Sequence, residues 1–241
     1  MKASPSDQQA ILEVQNLDDQ LASLAQREAN LPESIALNAV VIKRNNVRDL
    51  RIAAETERTD VKRELARAEG DVEQIVTRIQ RDEARLNSGT GTPKELEQTQ
   101  HELVTLGQRR AELEEAELTI MVQVEGITNR INELTAEEAK LAEEIADLEI
   151  KKENALTIII NERTSVSEKR AAIAAPISQD LKDLYVKLAA DNNGNGAALL
   201  VGNECKGCHL TINTTEVQRI STLPAEEVVR CEQCRCILVR G

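Results

Sequence analysis

The sequence predicts a mainly α-helical protein: a long antiparallel coiled-coil hairpin followed by a small β-rich segment at the C-terminus. Three observations predict this class. Apolar residues recur with a seven-residue period, a glycine- and proline-rich segment interrupts the repeat, and all five cysteines follow residue 204. The chain has a single aromatic residue, Tyr185, and 30% of its residues are charged. That composition suits long helices that bury a narrow seam, and it does not suit a thick globular interior.

The clearest repeat lies in the second half of the chain. A row of positions that begins at Thr99 and recurs every seven residues to Ala155 is almost wholly apolar. A second row, from Leu96 to Val166, is apolar at most positions and is interrupted by charged residues. Chance periodicity rarely persists over ten heptads, so the pattern predicts a coiled-coil helix.

The first half carries the same spacing in two stretches. The longer stretch comprises Val47, Leu50, Ala54, Val61, Leu65, Ala68, Val72, Ile75, Ile79 and Leu86. Between Ala54 and Val61 the phase falls on Glu57 or Arg58, which predicts a local irregularity there. The shorter stretch comprises Val14, Leu17, Leu21 and Leu24. Pro32 follows it, and because proline is tolerated only in a helix's first turn, we expect a new helix to begin near that residue.

The segment 87–93 separates the two halves and contains two glycines and a proline. It ends one helix, and Thr92 is suited to cap the next, with Pro93 at the first position and Glu95 three residues after the cap. A connection this short reverses the chain, so we expect residues 1–175 to form an antiparallel hairpin. The alternative is a parallel dimer of longer helices.

The charge pattern supports the antiparallel pairing. Residues 40–67 contain eight basic and five acidic side chains, whereas residues 115–142 contain two basic and six acidic ones. Folding the chain back at the turn brings these two segments side by side. Opposite charges at the flanking positions favour this register over a slipped one.

Two further segments follow the hairpin. Residues 176–196 consist of a short amphipathic helix and an Asn- and Gly-rich linker. The apolar face of that helix comprises Ile177, Leu181, Leu184, Tyr185 and Leu188. Residues 197–241 contain the short apolar runs AALLV and CILVR, which favour β-strands.

The C-terminal segment also contains two Cys-x-x-Cys pairs, Cys205 with Cys208 and Cys231 with Cys234. Each pair lets two thiolates bind one ion from a tight turn, and two pairs complete a tetrahedron. In the first pair, Gly207 lies where such a turn commonly needs backbone freedom. We therefore expect one structural zinc ion, bound by these four cysteines in a C4 zinc ribbon. Four thiolates leave no coordination position for water, so the metal holds the fold and performs no chemistry. Disulfides or free thiols are the alternatives.

Two more residues lie close to these pairs in sequence. His209 directly follows Cys208, but four cysteines already suffice, so we expect a solvent-facing histidine or one that supports a ligand. Cys236 lies two residues after Cys234. We expect it to point away from the metal as a packed or exposed spare thiol.

Several classes of protein are disfavoured. No apolar run is long enough to span a membrane, and the first residues lack the pattern of a signal peptide, so we expect a cytoplasmic protein. The chain has no Gly-rich phosphate loop. Its two histidines, His101 and His209, have settings typical of surface residues. We therefore expect no enzymatic activity.

These motifs resemble those of the bacterial C4-type zinc-ribbon proteins that carry an N-terminal coiled-coil hairpin. The resemblance covers nearly the whole chain and rests on residues 92–118, TPKELEQTQHELVTLGQRRAELEEAEL, and on CKGC followed by CEQCRCILVR. The family usually carries Gly-Arg before the final Ile-Leu, where this chain has Arg235 and Cys236. The resemblance implies an elongated, cytoplasmic, non-enzymatic scaffold or adaptor. It also implies partners in the transcription machinery, such as an alternative sigma factor, and RNA as a further partner.

The leading functional hypothesis is an interaction scaffold, in which the hairpin presents a long surface and the ribbon docks a protein partner. The alternative is RNA or DNA binding through the ribbon, with candidate phosphate contacts at Lys206, Arg219, Arg230, Arg235 and Arg240. Five acidic residues offset these bases, and the ribbon has no aromatic residue for base stacking. The net charge of −12 lies in residues 1–196, where it repels phosphate. The sequence leaves open whether two hairpins associate.

Overall fold

The computed structural model describes residues 1–241 and contains five α-helices and four short β-strands. The helices are α1 (Pro5–Ala29), α2 (Pro32–Asn87), α3 (Pro93–Ala174), α4 (Gln179–Asp191) and α5 (Thr214–Thr222), and the strands are β1 (Ala197–Val201), β2 (Glu204–Cys205), β3 (Val229–Arg230) and β4 (Ile237–Arg240). The chain divides into two compact units, Ala36–Leu148 and the combination of Met1–Ile35 with Glu149–Gly241. No helix is long and apolar enough to cross a membrane.

The predicted helix boundaries have local causes in the structure. α1 ends at Ala29 and α2 begins at Pro32, where a proline costs no hydrogen bond. Between α2 and α3, the backbone N–H of Thr92 donates to Glu95 Oε2 at 2.8 Å, and the N–H of Glu95 lies 3.4 Å from Thr92 Oγ1. These reciprocal contacts form the expected capping box. The hydrogen bonds from Thr92 hold the pKa of Glu95 below its usual value.

In the unit Ala36–Leu148, α2 and α3 pack along the predicted seam. The buried and half-buried positions of α3 follow the two predicted rows, with Leu106, Ile131 and Leu141 fully buried. The prediction for Leu50 on α2 is wrong, because this side chain is 49% exposed. Arg51 and Arg58 are half-buried in the seam instead.

The two arginines also remove the predicted irregularity. With Arg51 and Arg58 included, the seam of α2 keeps alternating steps of three and four residues between Val47 and Val61. An arginine can take such a position because its apolar stem packs along the seam while its charged end reaches the rim.

Ion pairs between α2 and α3 fix the antiparallel register in this unit. Arg51 Nε lies 2.9 Å from Glu138 Oε2, and Lys43 Nζ lies 3.3 Å from Glu137 Oε1. Basic residues of the segment 40–67 therefore meet acidic residues of the segment 115–142, as the charge pattern predicts.

In the other unit, α1 packs antiparallel against the C-terminal part of α3. Leu24 of α1 and Ile159 of α3 are buried in one cluster. Two reciprocal ion pairs lie beside it: Arg27 with Glu162 at 2.8 Å, and Arg163 with Glu28 at 3.0 Å. In this unit α1 is therefore the antiparallel partner of the C-terminal part of α3.

The four strands form one small sheet in the order β2-β1-β4-β3. The central strands β1 and β4 are parallel, and each pairs with its outer neighbour in the antiparallel sense. Alternate residues of β1 and β4 face opposite sides. Ala197, Ile237 and Val239 pack with α1 and α4 in one core, whereas Ala198 and Leu238 pack with the cysteines in the other.

Helix α5, which lies between the two cysteine pairs, is absent from the sequence-based expectations. Asn213 caps it, because its Oδ1 accepts a hydrogen bond of 3.1 Å from the N–H of Thr215. Its residue Ile220 is buried in the core that contains the cysteines. An Asn cap followed by apolar residues at spacings of three is a signal that could have revealed this helix.

The N-terminal residues and α1 hold the sheet in place. The N–H of Ala3 donates to Glu226 O at 2.8 Å, and the N–H of Val228 donates to Met1 O at 3.0 Å. Further along, Gln15 Oε1 accepts hydrogen bonds from the N–H groups of Gly196 and Ala197 at 2.7 and 3.1 Å. The cysteine-bearing sheet is therefore held by hydrogen bonds to residues 1–3 and to the Gln15 side chain, as well as by apolar contact with α1 and α4.

Candidate metal centre

The two Cys-x-x-Cys segments form turns of the same construction. In the first, the N–H of His209 donates to the carbonyl of Cys205 at 2.8 Å. In the second, the N–H of Arg235 donates to the carbonyl of Cys231 at 2.9 Å. The residue after each second cysteine takes left-handed backbone angles, with φ of 57° at His209 and 64° at Arg235. This turn directs both thiols of a pair to the same side.

The two turns bring four sulfur atoms together. The Sγ atoms of Cys205, Cys208, Cys231 and Cys234 all lie within 4.8 Å of one another. Across the two turns, Cys205 Sγ lies 3.9 Å from Cys234 Sγ, and Cys208 Sγ lies 3.9 Å from Cys231 Sγ. A tetrahedral zinc ion with Zn–S bonds of about 2.3 Å requires S–S separations of about 3.8 Å. The four cysteines therefore fit a tetrahedral ion in size and in ligand type.

The thiols of this cluster differ in acidity. Burial raises the pKa of Cys208 to about 12 and also raises the pKa of Cys231. Burial also acts to raise the pKa of Cys234, but hydrogen bonds from the backbone and thiol of Cys236 and from neighbouring thiols outweigh it. The pKa of Cys234 is therefore lowered. Cys208 and Cys231 must release their protons before they can bind a metal ion.

The expectation that Cys236 points away from the site is wrong. Its Sγ lies 3.2 Å from Cys234 Sγ and 3.8 Å from Cys205 Sγ, and the residue is fully buried. The left-handed backbone of Arg235 separates the two cysteines. Residues 234–236 therefore form a bend that precedes β4 and not a regular strand, and this bend directs both thiols into the same core.

Gly207 is needed for space and not for backbone freedom. Its φ lies outside the left-handed region. A Cβ atom at this position would lie 2.9 Å from the Cβ of Ala198 on β1 and 3.5 Å from Cys236 Sγ. The absence of a side chain therefore lets the first turn pack against the sheet.

His209 does not join the four thiols. Its side chain is 74% exposed, and its Nδ1 lies 3.4 Å from Glu204 Oε1. This position agrees with the solvent-facing histidine that the sequence predicts. The same carboxylate group of Glu204 also pairs with Lys206, whose Nζ lies 2.8 Å from Oε2.

Three of the five candidate phosphate contacts have partners inside the domain. Lys206 pairs with Glu204, and Arg219 Nε donates to Glu216 Oε2 at 2.7 Å. Arg240 donates to the backbone carbonyls of Ile220, Leu223, Pro224, Ala225 and Glu227 at 2.8–3.2 Å. Arg230 and Arg235 are exposed. The five hydrogen bonds from the guanidinium of Arg240 therefore hold the C-terminal end of α5 and the loop that follows it in place.

The fold and the cysteine cluster define a class: a helical hairpin protein with a small C-terminal sheet whose four clustered thiols could hold one metal ion. The chain belongs to the family of CT398-like coiled coil hairpin domains, whose model matches residues 14–193. The matched region covers α1 from residue 14 onward, α2, α3 and α4, and it ends before the cysteines. The family assignment is therefore independent of the candidate metal centre.

Sequence similarity to known proteins extends over the whole chain. An uncharacterized protein of Mycobacterium tuberculosis is 34% identical over 247 residues, which cover 100% of this chain and 98% of that protein. A Mycobacterium smegmatis protein of known structure is 30% identical, covers 100% of both chains and has a TM-score of 0.89. The structure of CT398 from Chlamydia trachomatis has a TM-score of 0.73 at 18% identity, with 98% of each chain covered. The last similarity concerns the fold alone.

Proposed function

We propose that the protein is a non-enzymatic scaffold that binds one structural zinc ion in its C-terminal sheet and uses this zinc ribbon to dock a protein partner. The observation that carries the proposal is the cluster of four cysteine sulfurs within 4.8 Å of one another, in which the two separations of 3.9 Å across the turns match the edges of a tetrahedral thiolate site. Zinc is the metal that such closed four-thiolate sites most often hold.

The surroundings of the cysteines support a structural role for the metal. The core that contains them is small, with Ile212, Ile220, Val229 and Leu238 as its buried aliphatic residues besides Ala198. A core of this size supplies little stability by itself, so a metal ion that joins the two turns is needed to hold them together. Four protein ligands leave no coordination position at which a substrate could bind.

The proposed docking surface lies beside the first cysteine turn. Val201, at the end of β1, and Leu210, after the turn, are 47% and 50% exposed. The carbonyl of Leu210 accepts a hydrogen bond of 3.1 Å from the N–H of Cys205, so the backbone of Leu210 is held beside the first cysteine turn. Exposed apolar residues on a rigid turn are suited to bind a protein partner.

Two measurements test the two parts of the proposal. Elemental analysis of the purified full-length protein should find one zinc ion per chain, and none in a Cys231→Ser/Cys234→Ser double variant. Affinity capture from the native cell extract should then recover a partner with the wild-type protein and lose it with Leu210→Asp. The matched control is Val186→Asp, since Val186 on α4 is also exposed, at 60%. Metal-free wild-type protein, or a partner that Leu210→Asp retains, would contradict the corresponding part.

A further inference from the structure

Five thiols meet at a site that needs only four. The sulfur of Cys236 approaches Cys234 Sγ to 3.2 Å, closer than the 3.9 Å that separates the cysteines across the two turns. A zinc ion with four thiolates has no use for this additional sulfur. Cys236 therefore adds a reactive thiol beside the cluster, which a buried apolar residue at this position would not do.

We propose that Cys236 is the resolving thiol of a peroxide-sensitive metal site, in which oxidation joins it to Cys234 and releases the metal. This inference rests on the proposed zinc site. Cys234 is half-buried, whereas Cys236, whose sulfur lies 3.2 Å from that of Cys234, is fully buried, so a small oxidant such as hydrogen peroxide has better access to Cys234. One thiol is thus placed to be attacked and the other to capture the product.

The chemistry balances with hydrogen peroxide as the only oxidant. The thiolate of Cys234 attacks one peroxide oxygen, the O–O bond breaks, and hydroxide leaves, which gives a sulfenic acid. The sulfur of Cys236 then attacks the sulfur of Cys234, and the hydroxyl group leaves with the Cys236 proton as water. One S–S bond forms, the two sulfurs lose two electrons, and peroxide ends as one hydroxide and one water.

The local backbone favours this pairing over disulfides between the metal ligands. Arg235, between the two cysteines, is left-handed with φ of 64°, which brings positions 234 and 236 closer than a fully extended strand would. Cys208 and Cys231, in contrast, lie on different turns with their sulfurs 3.9 Å apart. Once Cys234 is held in a disulfide, the site keeps three thiolates and binds the metal less tightly.

The experiment uses zinc-loaded full-length protein, hydrogen peroxide and a chromogenic zinc chelator. Zinc content is measured first, so a chain that binds no zinc refutes the proposed function before this inference is reached. Wild-type protein should release zinc on oxidation, and Cys236→Ser should release it about tenfold more slowly, since the resolving thiol supplies the proximity effect. Leu238→Val is the control, because Leu238 lies in the same core but carries no thiol, and its release should not be slower than wild type.

Peptide mapping provides a second readout that needs no variant. Trypsin cuts after Arg230, Arg235 and Arg240, so residues 231–235 and 236–240 become separate peptides that only a disulfide holds together. Oxidised wild-type protein should yield these two peptides as one linked species, with fragmentation placing the bond between Cys234 and Cys236. Equal release rates in wild type and Cys236→Ser, or a Cys236 thiol that stays free after the zinc has left, would overturn the inference.

Discussion

The hydroxyl of Tyr185 on α4 donates a hydrogen bond of 2.7 Å to Oδ2 of Asp18 on α1. The same carboxylate accepts two hydrogen bonds from Arg170 of α3, one of them 2.9 Å long between Nη2 and Oδ2. Burial, followed by the hydrogen bond to Asp18, raises the pKa of Tyr185 well above its usual value. The phenol therefore stays protonated and joins three helices through one carboxylate.

We expect Asp18→Asn to destabilise the protein by about 1–2 kcal/mol, since it leaves the half-buried Arg170 without its charged partner. Tyr185→Phe should cost about 1 kcal/mol, because it removes only one of the hydrogen bonds. Urea unfolding of both single variants and of the double variant measures the coupling. Strictly additive losses would show that the two residues do not act through a shared contact.

The charge-reversed variant Arg51→Glu should lower the thermal unfolding midpoint of the hairpin, because it places a carboxylate beside Glu138 and Glu55. Arg51 donates to both of these residues at 2.9 and 2.7 Å. Adding Glu138→Arg should recover much of the loss, as measured by thermal unfolding followed by circular dichroism. Arg48→Glu is the matched control, since Arg48 pairs only with its neighbour Asp49, and a similar loss there would argue against a specific seam contact.

Arg240→Lys should lower the free energy of local unfolding of α5 and the loop that follows it by about 2 kcal/mol, because an ammonium group cannot donate to five carbonyls from one position. Hydrogen exchange of the amides in residues 214–228 should show the change locally. Arg230→Lys serves as the control, since Arg230 is exposed. Unchanged exchange in Arg240→Lys would mean that the carbonyl contacts add nothing to stability.

Two substitutions next to the cysteines, one that introduces a glycine and one that removes a glycine, should change the stability of the domain in opposite directions. Arg235→Gly should stabilise the zinc-loaded domain by up to about 1 kcal/mol, because Arg235 has a φ of 64° that glycine adopts without strain. Gly207→Ala should destabilise it, since the new Cβ would lie 2.9 Å from the Cβ of Ala198. Denaturation of both variants at saturating zinc tests the pair, and a shift of the same sign in both would contradict this reasoning.

Zinc affinity should increase as the pH rises. Burial raises the pKa of Cys208 to about 12 and also raises that of Cys231, so both thiols hold their protons at neutral pH in the metal-free protein. Each proton must leave when zinc binds, and higher pH favours its loss. Calorimetric titration in buffers of different ionisation enthalpy should therefore detect proton release on zinc binding. A heat that is independent of the buffer would rule this linkage out.

The parts of the fold that depend on local pattern could be predicted from the sequence. The heptad rows of α3 and the capping box at Thr92 and Glu95 need only neighbouring residues, and both appear in the structure. The error at Leu50 has a physical cause: hydrophobicity favours leucine at the seam, whereas in the structure the long apolar stem of Arg51 fills that position.

The contacts that hold the candidate metal centre on the helices could not be predicted in this way. Gln15 binds the backbone of Gly196, and no local signal links residues so far apart in the sequence. Cys236 shows the same limit at short range, since its approach to Cys234 depends on the backbone angle of a single residue, Arg235. The clustering of Cys205, Cys208, Cys231 and Cys234 could be predicted, because each Cys-x-x-Cys pair is a local motif.

Cys236 and the residues of β4 that follow it pack alternately into two different hydrophobic cores. Ile237 and Val239 belong to the helical core, and Cys236 and Leu238 belong to the cysteine core. One inserted or deleted residue here would exchange the two sets, so that aliphatic side chains would face the thiols and a thiol would face the helices. The strand can therefore accept replacements of similar size, whereas a change in its length would disrupt the packing of both cores at once.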